Sequence, residues 1–132
     1  MDIDGSDTSW AAASDVRLKE NVVDSTAGLS FIKDLRPITY NWKKKKDVPS
    51  DLSLYKEGSD EFCKGFGKTN YGFIAQEVKE SIDKHNLADG HNIWSEDPEG
   101  IQELSPGSLM TIMVKAVQEL SAKVEELESK LK

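Results

Sequence analysis

The chain has 132 residues, 37% hydrophobic and 31% charged, with a formal net charge of −7; that length suits one domain, or one small domain with an appended helix, and the lean apolar content suits a core completed by self-association. The acidic balance argues against a nucleic-acid partner, which needs a basic face, and no apolar run approaches the ~18 residues of a membrane span. The single cysteine, Cys63, excludes an internal disulfide and a cysteine-rich metal site, and fits synthesis in a reducing compartment.

Residues 1–13 are rich in Asp, Ser, Gly and Ala and lack periodicity, with Trp10 as a lone apolar anchor. They read as a linker or as the end of a preceding segment. The octet Ser14-Asp15-Val16-Arg17-Leu18-Lys19-Glu20-Asn21 follows. Serine with lysine is one known way to activate a hydroxyl nucleophile. Five positions apart, the two fall about 140° apart on a helix and on opposite faces of a strand. A working pair therefore needs a bend within the octet or a lysine from a neighbouring chain.

Leu29, Ile32 and Leu35 recur at helical spacing up to Pro37, which predicts a short helix over 28–35. Residues 38–42 alternate apolar and polar with large β-preferring side chains and read as a strand. From Lys43 to Asn70 the chain is polar and irregular, punctuated by Pro49, Gly58, Gly65 and Gly67. So long a connection suits a projecting arm or long hairpin. Its basic block, Lys43 to Lys46, reads as solvated. Residues 71–75 form a second strand candidate, running into a helix over 76–86 whose stripe is Ala75, Val78 and Ile82. Two short strands, 92–96 and 101–104, flank the turn Asp97-Pro98-Glu99-Gly100. Ser105 and Pro106 offer an N-cap and a first helical position.

The last helix carries Met110, Met113, Val117, Leu120, Val124, Leu127 and Leu131 in an unbroken 3-4 spacing. These are a and d positions of successive heptads, with Lys123 at g and Glu128 at the following e, so an inter-chain coiled coil is expected. The first two turns of the stripe could instead serve the chain's own core. Val at a with Leu at d leans towards two strands. His85 and His91 are too isolated for a metal site, and no cofactor is implied. Glu77 and Glu80 read as helix-face charges; Gln76 and Glu77 are candidates for hydrogen bonds between elements. Gly65-Phe66-Gly67-Lys68-Thr69 lacks the spacing of a phosphate loop. Trp42 and Trp94 read as core or subunit-contact residues.

Four blocks together resemble one family. They are the octet from Ser14, Leu35-Arg36-Pro37 leading to Tyr40 and Trp42, Gly72-Phe73-Ile74-Ala75-Gln76-Glu77-Val78, and Lys115-Ala116-Val117-Gln118-Glu119-Leu120. The chain resembles, over about residues 14–128, the self-cleaving intramolecular chaperone domains of phage tailspikes and tail fibres, the endosialidase-type peptidase S74 family. The resemblance implies an α+β domain over 14–108 with a protruding arm at about 43–70. A C-terminal helix over 109–132 would form a homotrimeric coiled coil, and residues 1–13 would end the preceding fibre. It also implies that the domain trimerises, assists folding of the upstream fibre or tailspike, then releases itself by a single-turnover serine-protease cut. That would happen in the host cytoplasm during phage assembly, with release from the mature virion fibre. The family motif maps the nucleophile to Ser14 and the base to Lys19, with Asp15 and Arg17 as candidate supports. Some relatives are described as cut between serine and aspartate, Ser14–Asp15 here. A five-membered N-to-O acyl shift favours Ala13–Ser14. The competing expectation is a non-catalytic trimeric tip whose arm binds a host surface.

Overall fold

The computed structural model describes residues 13–131; the expected linker, Ala13 apart, lies outside them. In chain order the elements are helix α1 (Leu29–Lys33), strands β1 (Ile38–Tyr40) and β2 (Asn70–Gly72), helix α2 (Ala75–Lys84), strands β3 (Trp94–Glu96) and β4 (Gln102–Leu104), and helix α3 (Gly107–Lys130). Single 3-10 turns lie at Val16–Leu18, Lys45–Asp47 and Asp89–His91. The fold is α+β, as expected.

The strands form two separate antiparallel pairs. β1 and β2 pair Thr39 with Tyr71; β3 and β4 pair Ser95 with Glu103. The turn between β3 and β4 is closed by Asp97, whose Oδ1 accepts from the backbone N–H groups of Glu99 and Ile101. Gly100 there has φ +87°, a conformation that favours glycine.

The core lies among the three helices and the start of the second hairpin. Phe31 of α1, Val78 and Ile82 of α2, Ile93, and Leu109 and Ile112 of α3 are its buried members. Phe31 and Ile93 are the most enclosed, and the ring of Phe31 meets His85 edge to face. Trp94 packs on the rim, its indole N–H donating to Gln102 and its ring lying under Lys79. Trp42 sits edge-on to Tyr40.

Helix α3 uses a different stripe on the core from the one its heptads suggest. Leu109, Ile112 and Ala116 are buried, whereas Met113, Val117 and Leu120 are each more than half exposed. The core-facing set is the heptad set moved back by one residue, about 100° round the helix. The first turns of the heptad stripe therefore do not serve the chain's own core. Residues 121–131 are exposed throughout. The helix also starts later than expected: the Ser105 N–H donates to Ile93 O, prolonging the β3–β4 pairing, and Pro106 takes the cap position.

The arm is held by charge as well as by backbone. Lys45 N donates to Glu61 O and Cys63 N to Lys43 O, so residues 43–46 run beside 59–63. The basic block lies at the surface as expected, and three of its lysines find acidic partners there: Lys44 and Lys46 with Asp60, Lys45 with Glu61. At the far bend, Ser53 donates from N and Oγ to the Glu99 carboxylate in the β3–β4 turn, at 2.8 and 2.6 Å. The arm is thus tied back to the second hairpin of its own chain.

Candidate functional site

The site is built on the first described residues. Asp15 has extended backbone, and its Oδ1 accepts from the Arg17 N–H at 2.8 Å, capping the turn Val16–Leu18. Leu18 N then donates to Asp15 O and Lys19 N to Val16 O, the i to i+3 bonds of a 3-10 turn. Lys19 is again extended. A single tight turn between two extended residues supplies the bend that a regular helix or strand denies. It brings Lys19 Nζ to 2.8 Å from Ser14 Oγ within one chain.

The side chains of Asp15 and Arg17 make no hydrogen bond to that pair among the described residues; they engage each other. The guanidinium donates from Nε and a terminal nitrogen to both carboxylate oxygens of Asp15, at 2.8 to 3.2 Å. These bonds hold the Asp15 carboxyl below its usual range and raise Arg17. The arrangement pins the turn and offsets the arginine charge. Ala13, Ser14 and Lys19 are all exposed.

Beyond Lys19 the chain runs as a strap to Thr26, bent at Asn21, whose φ of 56° is left-handed. Among the described residues no hydrogen bond ties 20–26 to another element. Its apolar side chains face water: Val22 is 68% exposed and Val23 84%. Between strap and core lies an open groove of about 1040 Å3, bordered by Val23, Phe31, Leu87, His91 and Ile112.

The strap meets the core at Ala27 and Gly28. The Leu29 N–H donates to Glu119 Oε1 of α3 at 2.8 Å, across 90 positions of sequence. The motif reading placed Glu119 in the fourth block but gave it no role. A signal did exist: Glu119 continues the core-facing series 109, 112, 116 with a carboxylate where an apolar side chain is due.

Two other expected groups have plain structural partners. Arg36 donates from Nε and a terminal nitrogen to both oxygens of Glu77, at 3.0 and 2.6 Å, joining the second and third sequence blocks. Glu77 thus makes the inter-element bond expected of it. His85 stands at the C-terminal end of α2 with its Nε2 2.6 Å from Asp34 Oδ2, and Lys84 binds the same oxygen.

A family model described as chaperone of endosialidase, Peptidase S74, matches residues 14–87. The chain belongs to this family. No curated protein and no solved structure matches it. The Peptidase S74 match begins at Ser14 and covers the Val16–Leu18 turn, the Arg36–Glu77 link and α2. The fourth block, on α3, lies beyond it. Membership supports an intramolecular chaperone role alongside an upstream fibre or tailspike region, in a family classed with the peptidases.

Proposed function

We propose that the chain is an intramolecular chaperone that assembles as a homotrimer, assists folding of an upstream phage fibre or tailspike, and then releases itself by cutting beside Ser14. The observation that carries the reading is the 2.8 Å contact between Lys19 Nζ and Ser14 Oγ within one chain. Seen as an ammonium, Lys19 donates to the hydroxyl; with its proton lost, the same geometry lets Oγ–H donate to the amine and be activated.

The reaction follows from that contact. Oγ attacks the Ala13 carbonyl carbon through a five-membered ring while Lys19 takes the hydroxyl proton. The tetrahedral intermediate collapses as Lys19 returns a proton to the Ser14 nitrogen, which leaves as an amine. Ala13 is then held as an ester on Ser14. Water hydrolyses that ester, freeing the Ala13 carboxylate and restoring the serine. Arg17, if drawn from Asp15, is the nearest cation in sequence for the oxyanion.

A lysine works as a base when its ammonium is desolvated. Lys19 and the aliphatic residues beside it are open in the single chain, so a neighbouring chain supplies the cover and cleavage waits for assembly. The exposed a and d stripe of α3, flanked by Val114, supports the trimer seam. Synthesis in the host cytoplasm and loss of the domain from the finished virion fibre complete the reading.

The test is intact-mass spectrometry of a chain extended upstream by its natural fibre segment, beside Ser14→Ala and Lys19→Ala. The expected result is loss of the upstream segment at Ala13–Ser14 in the parent only. An intact parent mass in folded trimers overturns the reading.

A further inference from the structure

We infer that Glu119 is a positioning residue for the reactive turn: its carboxylate fixes the point at which the strap carrying Ser14 and Lys19 leaves the core. The inference rests on the self-cleavage reading above and adds how α3 communicates with the cut.

Counting from Lys19, residues 20–26 make no hydrogen bond to another element among the described residues. The first fixed point is the start of α1. That helix is five residues long and its cap position is Gly28, which has no side chain to satisfy the first amides. Glu119 supplies the missing acceptor from α3 through its 2.8 Å bond from the Leu29 N–H. A carboxylate at this end of a helix also meets the favourable end of the backbone dipoles.

Gly28 shows how closely the two are fitted. It is buried, and a Cβ there would collide with the Glu119 carboxylate and come within 2.7 Å of Lys115 Cγ. Backbone and carboxylate thus occupy neighbouring space with no room for even a methyl group. Glu119 sits where α3 leaves the core, one residue before Leu120 of the exposed stripe. Any rotation of α3 that seats the stripe against other chains moves Glu119, and with it the anchor of the strap. The carboxylate touches no reacting atom; it acts through Leu29 and the strap.

The experiment uses the upstream-extended chain and three variants, Glu119→Ala, Glu119→Gln and Glu119→Asp, with trimer mass, cleavage rate and amide hydrogen exchange read together. Glu119→Ala is expected to slow cleavage by about ten- to a hundredfold, the scale of a small misplacement of a reacting group. Its Leu29 amide should lose protection while α2 amides and trimer mass hold. Glu119→Gln keeps length and an oxygen acceptor and should cut within about threefold of the parent; Glu119→Asp keeps the charge but falls one methylene short and should be slow. The Gln and Asp pair decides the matter even if the alanine variant fails to fold. Parent-like cleavage in Glu119→Asp, with Gln slow, would mean that charge and not reach matters and would overturn the inference. So would parent-rate cleavage in any variant whose Leu29 amide has lost protection. If the parent itself never cuts, the self-cleavage reading falls, and the exchange data still report whether the anchor exists.

Discussion

The strap and the core of this domain use the same kinds of side chain in opposite ways. Phe31 and Ile93 are 1% and 2% exposed, yet Val22 and Val23, a few residues upstream of Phe31, are 68% and 84% exposed. The core is finished by one chain. The strap, like the outer stripe of α3, carries apolar surface that one chain leaves uncovered, and Ser14 and Lys19 lie just before it. A domain divided this way can fold locally first and complete its working surface only on assembly. A coiled-coil seam on α3 would rest on contacts local in sequence, which form quickly, whereas long-range strand pairing is slow and leaves edges open.

The contrast can be broken from either side. The largest effect is expected in the core: Phe31→Ala should cost about 3–5 kcal/mol, read as a lowered denaturation midpoint. Next comes the seam. Val124→Asp with Leu127→Asp should reduce the assembly to the mass of one chain by analytical ultracentrifugation. Amide protection in α2 should persist, because neither residue touches the core. Loss of the fold in that variant would mean that the core is not self-sufficient.

Smaller effects sharpen the comparison. The Asp34 carboxyl is held below the usual carboxylate range first by His85 and then by Lys84. A lowered folded value means that this tie between α1 and α2 is at full strength above the unfolded value of about 3.9. It is lost as pH falls through the folded value. Thermal melts of the parent and Asp34→Asn should differ near neutrality and converge in strong acid; a constant gap across pH would contradict the assignment. Smallest of all, Val23→Ala should change single-chain stability by no more than about 0.5 kcal/mol and yet weaken assembly measurably. A core-sized loss in the single chain would erase the distinction between strap and core.

Much of this architecture was legible in the sequence because it rests on local periodicity. Ala75, Val78 and Ile82 announced α2, the Asp97–Gly100 turn announced the second hairpin, and Pro37 closed α1. What stayed hidden depends on partners distant in sequence. Two stripes one residue apart share α3, and spacing alone does not say which meets the chain's own core. The partners of Lys44 to Lys46 were hidden because Asp60 and Glu61 lie on the returning limb of the arm. For the site, the motif named Ser14 and Lys19, and their awkward spacing called for a bend or for a lysine from a neighbouring chain. The bend comes from the Asp15 side chain capping a turn too short to leave a periodic mark. Glu119 stood in the fourth block, but its partner was hidden because the bond spans 90 residues.

The central claim is that Ser14 and Lys19 of one chain form the cutting pair. The direct test mixes upstream-extended Ser14→Ala and Lys19→Ala chains, isolates the mixed trimers and follows their intact mass beside the parent. Release from the parent with none from the mixed trimers is the predicted result. Release from the mixed trimers would show the lysine of one chain serving the serine of another, and would contradict the account.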